Sequence, residues 1–156
     1  MKAVSVVTIK KELQHRSTDE LMQLCLRLSR FKKENKELLT YLLFESDDEA
    51  GYIESVKVYI DDEFESINID SFFYIRKSVR KILRNVKKYI RYSQKKETEV
   101  ELLLYFCEKL RDFKPNIKRS TQLQNSYNRQ LLLVKKIISG LHEDLQYDYN
   151  IMLEDF

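Results

Sequence analysis

The chain has 156 residues, with 28 Lys and Arg against 25 Asp and Glu, two Gly, one Pro and two Cys. That length suits one domain, 1–156, with a continuous core, and so little Gly and Pro beside abundant Leu, Lys and Glu points to helices joined by short connections. Two cysteines exclude a disulfide framework, and the longest apolar run, 102–107, falls far short of the roughly 18 to 20 residues of a spanning helix.

The pattern predicts a first helix over about 4–15, with Val4, Val7 and Leu13 inward. Ser17-Thr18-Asp19-Glu20 is a capping box, in which hydroxyl and carboxylate each satisfy a free N–H at a helix start. It opens a second helix with Leu21, Leu24, Cys25, Leu28 and Phe31 on one face. After a break near 32–34, a third helix over 35–45 buries Leu38, Leu39, Leu42 and Leu43. Ser46-Asp47-Asp48 stops it and caps a fourth over 49–67, with Ile53, Val56, Ile60 and Phe64 inward and Glu54, Asp61, Asp62 and Glu65 outward.

The fifth helix, 71–96, dominates the chain. Phe72, Ile75, Val79, Ile82, Leu83, Val86 and Ile90 form its buried stripe. Residues 76–96 carry ten Lys and Arg and no acid, whereas 45–70 carry ten acids and one Lys. Asp70 reads as its N-cap, and the short joint before it makes the acidic and basic helices antiparallel neighbours. Thr98-Glu99-Val100-Glu101 reads as a capping box for a sixth helix with Val100, Leu103, Leu104, Cys107 and Leu110 inward, ended by Pro115. A seventh, over 118–139, turns Leu123, Tyr127, Leu131, Val134 and Ile138 inward and closes at Gly140. The last, over 143–154, buries Leu145, Tyr149, Met152 and Leu153. Cys25 to Lys32 and Cys107 to Lys114 share C-x-x-L-x-x-F-K at an offset of 82 residues, a candidate internal repeat.

Lys10-Lys11-Glu12-Leu13, Ser17-x-x-Glu20-Leu21 and Lys33-Glu34-Asn35-Lys36, with Leu39 and Leu42, lie within the first 46 or so residues. This pattern resembles the opening of an uncharacterised family of small bacterial helical proteins carrying a domain of unknown function. The resemblance implies helical hairpins and a bacterial intracellular setting, and supplies no activity or site. More loosely, the chain looks like an α-α superhelix of the HEAT or armadillo kind, without repeats of their usual length.

No catalytic set is assembled. Glu12 and His15 have the E-x-x-H spacing of helical di-iron sites, which need it twice; His142 is preceded at the matching position by Ser139. Two lone cysteines and two unpaired histidines give no zinc spacing, isolated Gly51 and Gly140 make no phosphate loop, and the acidic clusters lack the alternation of a calcium loop. Cys25 and Cys107 read as core thiols, and residues 1–9 are too short for a secretory signal.

These features lead to an all-α chain of seven or eight helices packed as antiparallel helical hairpins, an irregular bundle or short superhelix, without cofactor or metal and not an enzyme. It reads as a cytoplasmic, non-enzymatic scaffold or protein-interaction module whose charge-separated surface, acidic over 45–70 and basic over 76–96, binds another protein or its own copy, away from any membrane. The alternative is nucleic-acid binding through 71–96, with phosphates on Arg80, Arg84, Lys87 and Arg91 and Tyr92 as a stacking platform; with Lys77, Lys81 and Lys88 these residues form the candidate surface for either kind of partner. Tyr74 and Phe73 lie beside or among these cations. A neighbouring acidic helix that neutralises the stripe would remove either role. The Tyr-rich tail is a second candidate surface, for docking or self-association.

Overall fold

The computed structural model describes residues 1–156 as eight α-helices with no β-strand: α1 Val6–Leu13, α2 Thr18–Phe31, α3 Lys33–Thr40, α4 Glu49–Glu65, α5 Phe72–Ser93, α6 Lys96–Asp112, α7 Thr121–Ile138 and α8 Glu143–Leu153. A π-helical turn, Tyr41–Glu45, and a 3-10 turn, Ile117–Arg119, complete the regular structure. The all-α architecture expected from the composition is present. By backbone contact the chain forms two compact units, Met1–Phe44 and Glu45–Phe156.

In Met1–Phe44 local signals set the helix ends. Ser5 caps α1 by accepting from the Thr8 N–H. The Ser17 capping box is complete: Glu20 N–H donates to Ser17 Oγ at 3.2 Å and Ser17 N–H to Glu20 Oε2 at 2.8 Å. Lys32 turns extended and ends α2, and Asn35 Nδ2 reaches back to Leu28 O at 2.8 Å. α2 and α3 pack on each other.

Burial in this unit departs from expectation. Val4, Val7, Leu13, Leu24, Cys25, Leu28, Phe31, Leu38, Leu42 and Leu43 are exposed, and Leu21 and Leu39 only half-buried. Tyr41, 4% exposed, is the one buried residue. The physical reason is size: three short helices present apolar stripes that so few residues cannot enclose.

Glu45–Phe156 holds the core. Asp48 caps α4 by accepting from Gly51 N–H, a bond that leaves no room for a Cβ at Gly51. α4 and α5 run antiparallel: Tyr52 bonds Tyr89 O, Tyr59 bonds Asn85 and Glu63 pairs with Lys81, so pairings climb one helix as they descend the other. α6 packs against α4, α5 and α7 and is therefore buried on several sides, with Leu102, Leu103, Phe106, Cys107 and Leu110 fully enclosed. The stripe of α5 buries Ile75, Val79, Ile82, Val86 and Ile90 as expected, while Phe72 and Leu83 stay half-buried.

Several predicted details shift. The α5 N-cap is Ser71 rather than Asp70, whose N–H instead donates to Asn68 Oδ1. Thr98 lies inside α6, where its hydroxyl donates to Glu49 Oε1 at 2.6 Å instead of capping. Asp61, expected in solvent, accepts from Tyr105 and Lys109 of α6. The helix before Gly140 ends without positive φ there; the one left-handed residue is Gln94, φ 60°, whose N–H closes α5 on Ile90 O. α6 ends at Asp112, ahead of a cis Lys114–Pro115 bond. Leu131 is half-buried, and in α8 only Tyr149 is buried; Leu145 and Leu153 are half-buried and Met152 is exposed.

Candidate functional site

The charge of α5 is distributed unevenly around it. On the flank toward α4, Lys81 Nζ bonds Glu63 Oε2 at 2.9 Å, and Lys95 Nζ reaches Glu49 Oε2 at 3.1 Å beyond the helix end. Glu63 raises the Lys81 ammonium above its ordinary range, chiefly by that hydrogen bond. Lys88 Nζ sits 4.9 Å over the Tyr89 ring, and Tyr92 packs edge-on against the same ring at 6.1 Å.

The rest of the helix escapes neutralisation. Arg76, Lys77, Arg80, Arg84, Lys87 and Arg91 lie outside every ion pair. Of these, Lys77, Arg80, Arg84 and Arg91 are exposed, with Phe73 and Tyr74, also exposed, at the start of the same ridge. Two acids of α4 have further partners: Asp61 bonds the Tyr105 hydroxyl and Lys109 Nζ at 2.8 and 2.7 Å, and Glu49 also accepts from Ser93 and Thr98. Charge reversal between two neighbouring segments thus cancels along one flank only.

The opposite flank faces α7. Both helices pack on α6 without forming a close pair of their own, and a cavity of 380 Å³ remains between them. Arg76, Arg80 and Lys87 line it from α5, and Gln122, Ser126, Arg129 and Gln130 from α7, over an apolar floor of Val79, Leu83 and Leu123. On α7 these polar residues recur at i, i+4, i+7 and i+8, one helical face. The run 122–130 is polar with a single charge, Arg129, a composition that sequence alone displays, whereas its meeting with Arg76, Arg80 and Lys87 depends on how the helices pack. This lining is incompletely satisfied: Gln130 Nε2 donates weakly to Ser126 O at 3.4 Å, and Gln130 Oε1 is buried without a partner.

A second feature lies within Met1–Phe44. Between α1 and α2 an open groove of 660 Å³ is lined by Val4, Ile9, Leu13 and Leu24, with Glu12, Arg16, Asp19, Glu20 and Arg27 at its edges. Every residue from 1 to 20 is exposed, so α1 gains almost nothing from packing.

Cys107 is enclosed, and burial pushes its thiol up to about 12, while Cys25 is an exposed free thiol. His15 is exposed, and His142 caps α8 through Nδ1, which accepts from Asp144 N–H. No three His, Cys, Asp or Glu side chains converge as a metal site, and no helix is long and apolar enough to cross a membrane. The tail docks partly: Tyr149 is buried and Arg111 stacks on Phe156 and bonds Asp155 O, whereas Tyr147 and Ile151 are exposed. Comparison of the chain with protein-family models, curated proteins and solved structures gives no match in any of the three.

Proposed function

We propose that the chain is a non-enzymatic interaction module that docks through residues 1–44, the occupant of its groove being α1 of a second copy. The observation that carries this reading is α1 itself. An isolated helix shorter than about 12 to 15 residues is marginal in water, yet α1 has eight residues, all exposed, and its Ile9 and Leu13 form one wall of an open apolar groove. An amphipathic helix laid in such a groove is a recurring recognition mode.

Charge favours a second copy. The α1 that enters carries Lys10 and Lys11 against its own Glu12, and the groove edge carries Glu12, Asp19 and Glu20 against Arg16 and Arg27, so the two surfaces differ in the sign of a small net charge. A two-fold exchange would satisfy both copies by the same contacts. A bacterial, cytoplasmic setting belongs to this reading, and the exposed thiol of Cys25 suits a reducing compartment. Sedimentation velocity should give a species of twice the 18.9 kDa chain mass at micromolar concentration, reduced to monomer by Ile9→Asp or Leu24→Asp. A wild type that stays monomeric at every concentration rejects the second copy as occupant.

A second reading, nucleic-acid binding, is favoured by the unneutralised ridge of α5. Lys77, Arg84 and Arg91 would hold phosphates there, and Phe73 and Tyr74 would stack on bases. Anisotropy titrations with short RNA should then weaken steeply with salt, and the triple charge reversal of Lys77, Arg84 and Arg91 should abolish binding. Equal binding by that variant rejects the ridge.

A further inference from the structure

We propose that the groove between α5 and α7 binds a phosphate ester of a hydroxylated carrier, a sugar phosphate in chemical class. It shares no residue with the docking surface of 1–44 and does not depend on that reading. Arg76, Arg80, Lys87 and Arg129 converge on one cavity, and none of its lining residues is a carboxylate. Like charges gathered without a counterion repel one another, most strongly where solvent screening is reduced, as at half-buried Lys87. An anion seated among them removes that repulsion. Guanidinium forks present paired donors matched to phosphate oxygens. Arg129 uses only Nε within the chain, on Asn125 O at 3.3 Å, which leaves its terminal nitrogens available.

Two observations argue for more than inorganic phosphate. The cavity, 380 Å³, falls within the range of about 300 to 1,000 Å³ typical of small-molecule sites, and a lone phosphate would leave most of it empty. Gln130 is 6% exposed and its Oε1 accepts no hydrogen bond. Carbonyl oxygen repels an anion and calls for a donor. Turned from its weak bond to Ser126 into the groove, this amide meets a ligand hydroxyl. Cations for the phosphate, an amide acceptor for a hydroxyl and an apolar floor for the carbon skeleton together specify the class.

The test is equilibrium dialysis of the full chain against ribose 5-phosphate, inorganic phosphate and ribose at fixed ionic strength, with circular dichroism confirming that each variant is folded. Ribose 5-phosphate should bind saturably, at least tenfold tighter than inorganic phosphate, and ribose should not bind. Arg129→Gln, at an exposed position, should weaken ribose 5-phosphate at least tenfold. Gln130→Leu should bring it down to the affinity of inorganic phosphate and leave phosphate itself unchanged. Equal affinity for ribose 5-phosphate and phosphate, or an Arg129→Gln variant indistinguishable from wild type, overturns the proposal. Short RNA that binds, and is weakened by Arg129→Gln while ribose 5-phosphate fails to bind, also overturns it and assigns the groove to the phosphates of a polymer.

Discussion

Phe106 has no exposed surface and packs its ring 5.8 Å from that of Phe64, joining α6 to α4. Truncation there leaves a cavity in a core enclosed by several helices, so Phe106→Ala should cost about 3–5 kcal/mol in urea denaturation. Two buried groups make the fold sensitive to alkali. Burial raises the Cys107 thiol from 9.0 to about 12 and the Tyr149 phenol from 10.0 to about 12, the phenol also under the negative field of Glu101 and Glu97. In both cases the folded state favours the neutral form. A raised pKa contributes stability that is complete below the unfolded value and is lost as pH rises through the folded one. Stability should therefore decline from about pH 9 toward pH 12, by on the order of 4 kcal/mol for Cys107. Urea midpoints across that range should show Cys107→Val losing the component that begins at pH 9 and keeping the one that begins at pH 10. A decline of wild type and variant in parallel would rule out the thiol as its source.

At the scale of elements, Asp61 shows what helical periodicity does and does not reveal. Its place on the polar side of α4 is legible, but the Tyr105 hydroxyl and Lys109 ammonium that meet it come from a helix more than forty residues away. Asp61→Asn should cost about 1 kcal/mol, the modest value of a pair about a third exposed, while Asp62→Asn should be neutral; paired denaturation curves distinguish them. The caps divide in the same way. Ser17 and Asp48 act where local sequence places them, because their partners lie three residues away. Thr98 carries an equally good local pattern and is diverted by Glu49, a long-range partner. The apolar stripes of α1 to α3 were legible as stripes, since amphipathicity depends on spacing alone. That nothing in their own unit covers them was not, because burial depends on what packs above. Likewise Arg80 and Lys87 were legible as cations on one helix, but their convergence with Arg129 and Gln130 is a property of packing around α6.

Across the whole molecule the two units differ in kind. Glu45–Phe156 encloses an apolar core, whereas Met1–Phe44 presents Leu28, Phe31 and Phe44 at 61, 76 and 76% exposure. A thiol-specific reagent at neutral pH should modify Cys25 alone in the native chain and Cys107 only after denaturation. If residues 1–44 dock onto a second copy, modification of Cys25, which lies beside Leu28 and Leu42 in a smaller hollow of 230 Å³, should slow as protein concentration rises. A rate independent of concentration places that hollow outside any interface.

The enclosure of α6 by three other helices also bears on how the protein breathes. Backbone amides exchange with solvent through openings whose free energy ranges from near zero to that of complete unfolding. α6 cannot open without separating α4, α5 and α7 from it, so amides near Leu103 and Phe106 should exchange only by global unfolding and report its free energy directly. Amides of α1, with no packing to lose, should exchange almost as fast as those of an unstructured peptide in dilute solution; if a second chain docks on them, their exchange should slow as the protein is concentrated.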